Sequence, residues 1–364
     1  MKKIYPNLNS LRFIAASLVI IHHIELYKSL FGLNNYWNIP FFQIVGKLGV
    51  VLFFVLSGFL ITSLLLHEKE IKQHISIKKF YLRRVLRIWP LYYLIVFLGF
   101  FVYPYIPFFD IPDKNIFPDV LTNRFPNIFY FLTIFANVGI PIYGEVPYTS
   151  QTWSIATEEQ FYLFWPFIFI LFPKKSIRIM AAIIIGYWIV KYVLNYTNVP
   201  FINDRLQEIL KGFIFYFNIN CMALGGIFAV LIHNKNLFIN ILFEKKVFYI
   251  SVTILILLLL FGVNFGFFHY DIYAFLFAVI ITNLACNDQF QNLLENKITN
   301  YLGSISYGIY MYHFVALTIA IRASIYLDVL WIIYPITFIL TFIISHYSYK
   351  YFENFFLKLK SKFV

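Results

Sequence analysis

Residues 46–66 read GKLGVVLFFVLSGFLITSLLL, and from Leu48 to Leu66 no side chain is charged. Coiled as an α-helix, a run of this length comes close to the ~20 residues that cross the hydrocarbon core of a bilayer. Runs of the same kind recur near 8–27, 88–106, 153–172, 178–196, 213–232, 247–267, 272–286, 301–321 and 328–348. Composition agrees with them: apolar residues make up 61% of the 364 and charged ones 13%, against roughly half and a quarter in soluble domains. So few charges cannot cover so much apolar surface in water, so lipid is the solvent for much of it. The expected fold is an all-α polytopic membrane protein with about ten transmembrane helices. They form a single domain over residues 1–350, followed by a basic cytoplasmic tail at 351–364.

The formal net charge is +12, but its placement argues against a nucleic-acid partner. Lys and Arg cluster at 2–3, 69–87, 174–178, 235–246 and 350–362, between the apolar runs. Cytoplasmic loops carry such an excess. All five clusters lie on one side only if a further apolar stretch, 127–142, does not cross; were it a full span, Lys174, Lys175 and Arg178 would face outward. That stretch carries Asn137, Gly139 and Pro141 and is expected to be re-entrant or interfacial, with both termini cytoplasmic and the protein in the cell (cytoplasmic) membrane. Non-helical backbone at that depth needs shielding by other helices or a water-filled cavity. The first run is too long for a signal-peptide core and shows no small-residue cleavage site, so it is expected to remain as a span. Cys221 and Cys286 lie far apart in apolar stretches; they form no disulfide framework and no metal-binding spacing, so no metal site is expected.

Ionisable groups inside spans cost roughly 2.5–3.5 kcal/mol each on insertion scales and mark candidate sites. In the first span, LNSLRFIAASLVIIHHIE, Arg12 and His23 are eleven residues apart. That is three helical turns with about 20° left over, so both project from one face, while His22 points about 80° away. The alternative role for either histidine is a bond to a neighbouring helix. In the second span, Gly49, Ser57 and Gly58 permit close helix packing. Arg84 and Arg87, three apart in FYLRRVLRIWPLYY, are neighbours on one helical face. Their guanidinium groups suit phosphate oxygens; the plainer reading is a positive-inside loop. In TWSIATEEQFYLFWPFI, Glu158 and Glu159 stand at the mouth of a span, and Glu158 shares a face with Tyr162. His313 lies in GSISYGIYMYHF among Tyr307, Tyr310 and Tyr312, where a structural role is the alternative.

Five ordered blocks carry a resemblance: Arg12 and His23 with ten residues between, Gly49 to Ile61, Arg83 to Tyr92, Trp153 to Tyr162, and Ser306 to His313. Together they resemble the acyltransferase-3 family of membrane O-acyltransferases. The family often has an acidic or polar residue where Val51 stands, so a polar role at that position is absent here. Some members carry a fused extracytoplasmic esterase-like domain, which is not expected within these residues. The resemblance implies a single transmembrane acyltransferase domain that moves an acetyl (acyl) group from cytoplasmic acetyl-CoA to a hydroxyl of a surface or lipid-linked glycan. Its implied partners are that carbohydrate acceptor, membrane lipid and other polysaccharide-assembly proteins. Arg84 and Arg87 would hold the CoA phosphates and Arg12 would line the CoA path. A neutral His23 would remove a proton from the attacking hydroxyl, or be acylated transiently. Glu158 or Glu159 would orient the imidazole or bind the acceptor sugar. A transporter or flippase of a glycan or glycolipid, without acyl-transfer chemistry, is the competing expectation.

Overall fold

The computed structural model describes residues 5–112 and 117–361. Lys2, Lys3 and the last three residues of the expected basic tail lie outside the described residues. The chain folds as helices α1 (Leu8–Leu30), α2 (Pro40–Lys72), α3 (Ile77–Phe101), α4 (Arg124–Leu132), α5 (Ala136–Tyr143) and α6 (Thr152–Leu171). It continues with α7 (Ser176–Tyr196), α8 (Asp204–Tyr216), α9 (Ile219–His233), α10 (Phe238–Leu242) and α11 (Lys245–Leu260). It ends with α12 (His269–Cys286), α13 (Lys297–Ser304), α14 (Ser306–Leu327), α15 (Ile333–Tyr347) and α16 (Asn354–Ser361). No strand occurs among the described residues.

Among the described residues, eight helical segments are long and apolar enough to cross a membrane, and they coincide with eight of the ten expected runs. The other two runs are helical but fall outside that set: α6 carries Glu158 and Glu159, and α11 has 16 residues. The stretch 127–142 lies in α4 and α5, of 9 and 8 residues, each too short to span.

One expected run needs correction. The segment expected as a single helix over 213–232 starts at Asp204 and breaks between Tyr216 and Ile219. Carbonyls freed by a break inside an apolar bundle need donors, and this break has them. The Tyr187 hydroxyl donates to the Ile214 carbonyl at 3.1 Å and the Asn218 amide to that of Phe215 at 2.9 Å. Lys47 from α2 also donates to the Phe215 carbonyl.

Helix α2 is the centre of the bundle and packs against α1, α9 and α12. Two of its three small residues serve that packing. Gly58 lies so close to α9 that an added Cβ would sit 2.7 Å from the Met222 carbonyl carbon. Ser57 instead turns its hydroxyl to Glu158 on α6. Gly58→Val should therefore destabilise the α2–α9 contact by about 1–3 kcal/mol, the usual cost of overpacking. Thermal melting of the detergent-solubilised protein checks this, and Ser57→Gly, which adds no bulk, should melt far closer to the parent.

Candidate active site

Two cavities lie end to end inside the bundle. The arginine chamber, about 490 Å³, is walled by Arg12, Ser57, Arg84, Arg87, Glu158 and Tyr162 among others. The histidine chamber, about 290 Å³, is walled by His22, His23, Lys47, Glu145, Gln151 and Trp153 among others. Four helices fix their order. Along α1, Arg12 opens on the first and His23 on the second; along α14, Tyr307 precedes Phe314 in the same sense. Along α2 and α6 the sense reverses: Lys47 precedes Ser57, and Trp153 precedes Glu158. Val50 and Tyr310 belong to both walls. Arg12 and His23 are eleven positions apart along α1, an axial distance of about 16 Å.

The same order settles where the connection from α3 to α6 begins and ends. Helix α3 starts at the level of the arginine chamber with Arg84 and Arg87, whereas α6 starts at the histidine chamber and descends to Glu158. The connecting segment therefore leaves and returns at one end of the bundle. There Glu145 and Tyr148 help to close the histidine chamber. Glu145 accepts a bond from the Tyr216 hydroxyl at 3.0 Å, and burial pushes its carboxyl above the usual carboxylate range.

The arginine chamber holds positive charge without matching ion pairs. The ion pairs among the described residues join Glu25 to Lys28, Glu68 to Lys72 and Arg83, and Glu208 to Lys211. None uses Arg12, Arg84 or Arg87. Arg12 donates to the Asn9 side chain at 2.9 Å, and Arg84 lies over the Tyr162 ring with a buried Nε that has no partner. Glu158, on the same wall, already accepts from Ser57 and, at 2.7 Å, from the Tyr162 hydroxyl. A polyanion with planar oxygen faces would complete such a set. Residues after 350 contribute too: α16 packs on α3, and Glu353 and Leu357 reach the chamber wall.

In the histidine chamber, one-way hydrogen bonds determine the tautomers. The Tyr310 carbonyl can only accept, so His313 Nδ1, 2.6 Å away, carries a proton and donates. Neutral His313 then has its lone pair on Nε2, which accepts from His23 Nδ1 at 3.1 Å. Neutral His23 is left with a lone pair on Nε2, the atom a general base needs. His313 is fully buried and lines neither chamber, whereas His23 lines the second. His22 bonds instead to a neighbouring helix: its Nδ1 donates to the Phe42 carbonyl at 2.6 Å.

The residues expected together are thus divided. Arg12, Arg84, Arg87 and Glu158 share one chamber, and His23 stands in the next. The structure places neither acid beside the imidazole. Glu158 is committed to Ser57 and Tyr162, and Glu159 accepts from the Trp89 indole at 2.9 Å and lines neither chamber. His313 orients His23 in their place, 290 residues away in sequence. Val51 is fully buried and faces neither chamber. Sequence reasoning missed Val50, Lys47 and Gln151; the only signal was a lysine within an apolar run, since the other two look like ordinary helix residues.

Residues 5–350 match the family described as "Acyltransferase domain". The peptidoglycan O-acetyltransferase OatA of Listeria monocytogenes is 34% identical over 194 residues, which cover 51% of this chain and 28% of that protein. The O-acetyltransferase OatA of Staphylococcus aureus is 29% identical over 372 residues, covering 96% of this chain and 56% of that protein. The chain therefore spans between about a quarter and just over half the length of these curated relatives. No solved structure matches it.

Proposed function

Because the chain belongs to the acyltransferase domain family, we propose that it is a membrane O-acetyltransferase that moves an acetyl group from cytoplasmic acetyl-CoA to a hydroxyl of a surface or lipid-linked glycan. The observation that carries this reading is the pair of adjoining chambers: in one, three arginines without ion-pair partners among the described residues, and in the next, a histidine with a free Nε2 lone pair. The phosphates of CoA sit against Arg84 and Arg87, Arg12 lines the way, and the thioester reaches the level of His23. The acceptor hydroxyl attacks the thioester carbonyl carbon and its proton passes to His23 Nε2. The C–S bond breaks, and the thiolate takes up that proton to leave as free CoA. A relay through an acyl-imidazole uses the same Nε2 atom as nucleophile. Glu158 holds the arginine-chamber wall through Ser57 and Tyr162, and Glu159 anchors Trp89, so both act as positioning residues. The Listeria relative is named as a peptidoglycan O-acetyltransferase, which favours a carbohydrate acceptor. Purified protein given acetyl-CoA and a glycan acceptor should release free CoA with acceptor present. A glycan transporter would move the acceptor and release none.

This reading places the arginine chamber towards the cytoplasm and both chain ends on that side. Cysteines introduced by Lys79→Cys and Lys175→Cys should both be protected from an impermeant thiol reagent applied to intact cells. Ready labelling at position 175 alone would put α7 the other way round and defeat the proposed topology.

A further inference from the structure

We propose that Lys47 is the anchor for a carboxylate on the acceptor, so that the histidine chamber takes an acidic sugar residue in preference to a neutral one. The inference rests on the reading of that chamber as the place of the acceptor and adds to it the acceptor's chemical class.

Lys47 is a cation that the fold leaves without a counter-charge. Its ammonium group lies 3.0 Å from the ring centroid of Phe215, 4.7 Å from that of Tyr270, 5.6 Å from that of Trp153 and 5.7 Å from that of Tyr216. All four rings, like Lys47 itself, belong to the histidine-chamber wall, so the charge sits at that chamber and aromatic faces hold it there. None of the ion pairs among the described residues includes it. An ionisable group inside a membrane bundle is costly and marks a site by default.

Packing does not require the charge. Lys47 donates to the Phe215 carbonyl, but that carbonyl already receives the Asn218 amide at 2.9 Å. An uncharged side chain at position 47 would leave the helix break satisfied. Two of the three N–H groups of the ammonium have no protein acceptor among the described residues. Nearby acids are engaged elsewhere. Glu145 holds the Tyr216 hydroxyl, and burial favours its neutral form. Asp271 spends Oδ1 on the Trp188 indole at 2.8 Å and the Asn220 amide at 2.6 Å, and it lines neither chamber.

The position of Lys47 suits an incoming ligand. Gln43, one turn earlier on α2, belongs to the same wall and is exposed at the surface, so Lys47 stands one turn inward from that edge. Gly46, the preceding residue, is pressed against the His22 ring, which sets this part of α2 level with the histidines of α1. Anchor and base therefore share one chamber on two helices held in register. A carboxylate offers two oxygens to the two unspent N–H groups, and the rest of the sugar ring carries a hydroxyl towards His23 Nε2. The donor's phosphates have the guanidinium forks of the other chamber, whereas Lys47 is a point charge for a single anion.

Two matched ligands test this in the purified full-length protein. One is a hyaluronan tetrasaccharide, whose glucuronate residues carry carboxylates; the other is the same tetrasaccharide with each carboxyl reduced to a primary alcohol. Calorimetric titration should show the parent binding the acid at least tenfold more tightly than the reduced form, the scale of one charge-assisted hydrogen bond. Lys47→Met should abolish that difference and Lys47→Arg should keep most of it, while CoA affinity, set in the other chamber, stays the same in all three. A merely structural Lys47 would lower the melting temperature of Lys47→Met and leave the acid-to-reduced ratio alone. Equal affinities in the parent, binding of neither sugar, or a preference that survives Lys47→Met overturns the anchor. The acyltransferase reading then still stands, because CoA binding and release judge it separately. A parent that neither binds nor releases CoA defeats the acyl-CoA reading, and the same pair of sugars still decides the anchor.

Discussion

His23→Ala is expected to abolish acyl transfer while the protein still inserts and binds acetyl-CoA. Positioned general-base help is typically worth ~10²–10⁴ in rate, and the hydrogen-bond chain from the Tyr310 carbonyl through His313 leaves Nε2 of His23 as the atom that supplies it. Alanine removes that atom and leaves the arginine chamber, about 16 Å away along α1, untouched. The comparison that gives the result its meaning is His22→Ala. The His22 ring packs at Gly46 and its Nδ1 holds the Phe42 carbonyl, so its loss should reduce folded protein and leave the rate per folded molecule largely as it was. Activity is therefore read per folded molecule, alongside donor affinity. A near-normal specific rate in His23→Ala would place the base elsewhere, with His313 the next group to examine.

The second large effect is expected at the donor end. Arg84→Lys with Arg87→Lys keeps both charges but loses the planar forks that meet phosphate oxygens in pairs. Each charge-assisted bond to a buried phosphate contributes about 1.5–3 kcal/mol, so the double variant should bind acetyl-CoA at least tenfold more weakly. Because Arg84 and Arg87 have no ion-pair partner among the described residues, their replacement breaks no salt bridge, and the fold should survive. Isothermal titration with acetyl-CoA and with CoA should show the same loss for both ligands, since the phosphates are common to them. Unchanged affinity with full activity would remove the pair from the donor site.

Much of this was readable along the chain because the causes are local. Nineteen uncharged residues at 48–66 must find lipid or other helices, whatever surrounds them. Helical periodicity alone put Arg12 and His23 on one face and Arg84 beside Arg87, and positive charge kept 127–142 from being counted as a crossing. The order of five short blocks pointed to the family. What the tertiary structure decided depends on distance between helices, which no periodicity carries. It separated the arginines from the histidine into two chambers and gave His23 a partner from α14. It moved Glu158 and Glu159 away from the imidazole, because a serine, a tyrosine and an indole from neighbouring elements had already claimed their oxygens. It broke the expected 213–232 helix, where side chains from α2 and α7 and the neighbouring Asn218 were in place to take the freed carbonyls. Val50 and Tyr310 read as one more apolar residue and one more tyrosine, and only the packed bundle sets them in the walls of both chambers. A hydrogen bond needs two partners within about 3 Å, and partners on different helices meet only when the helices pack.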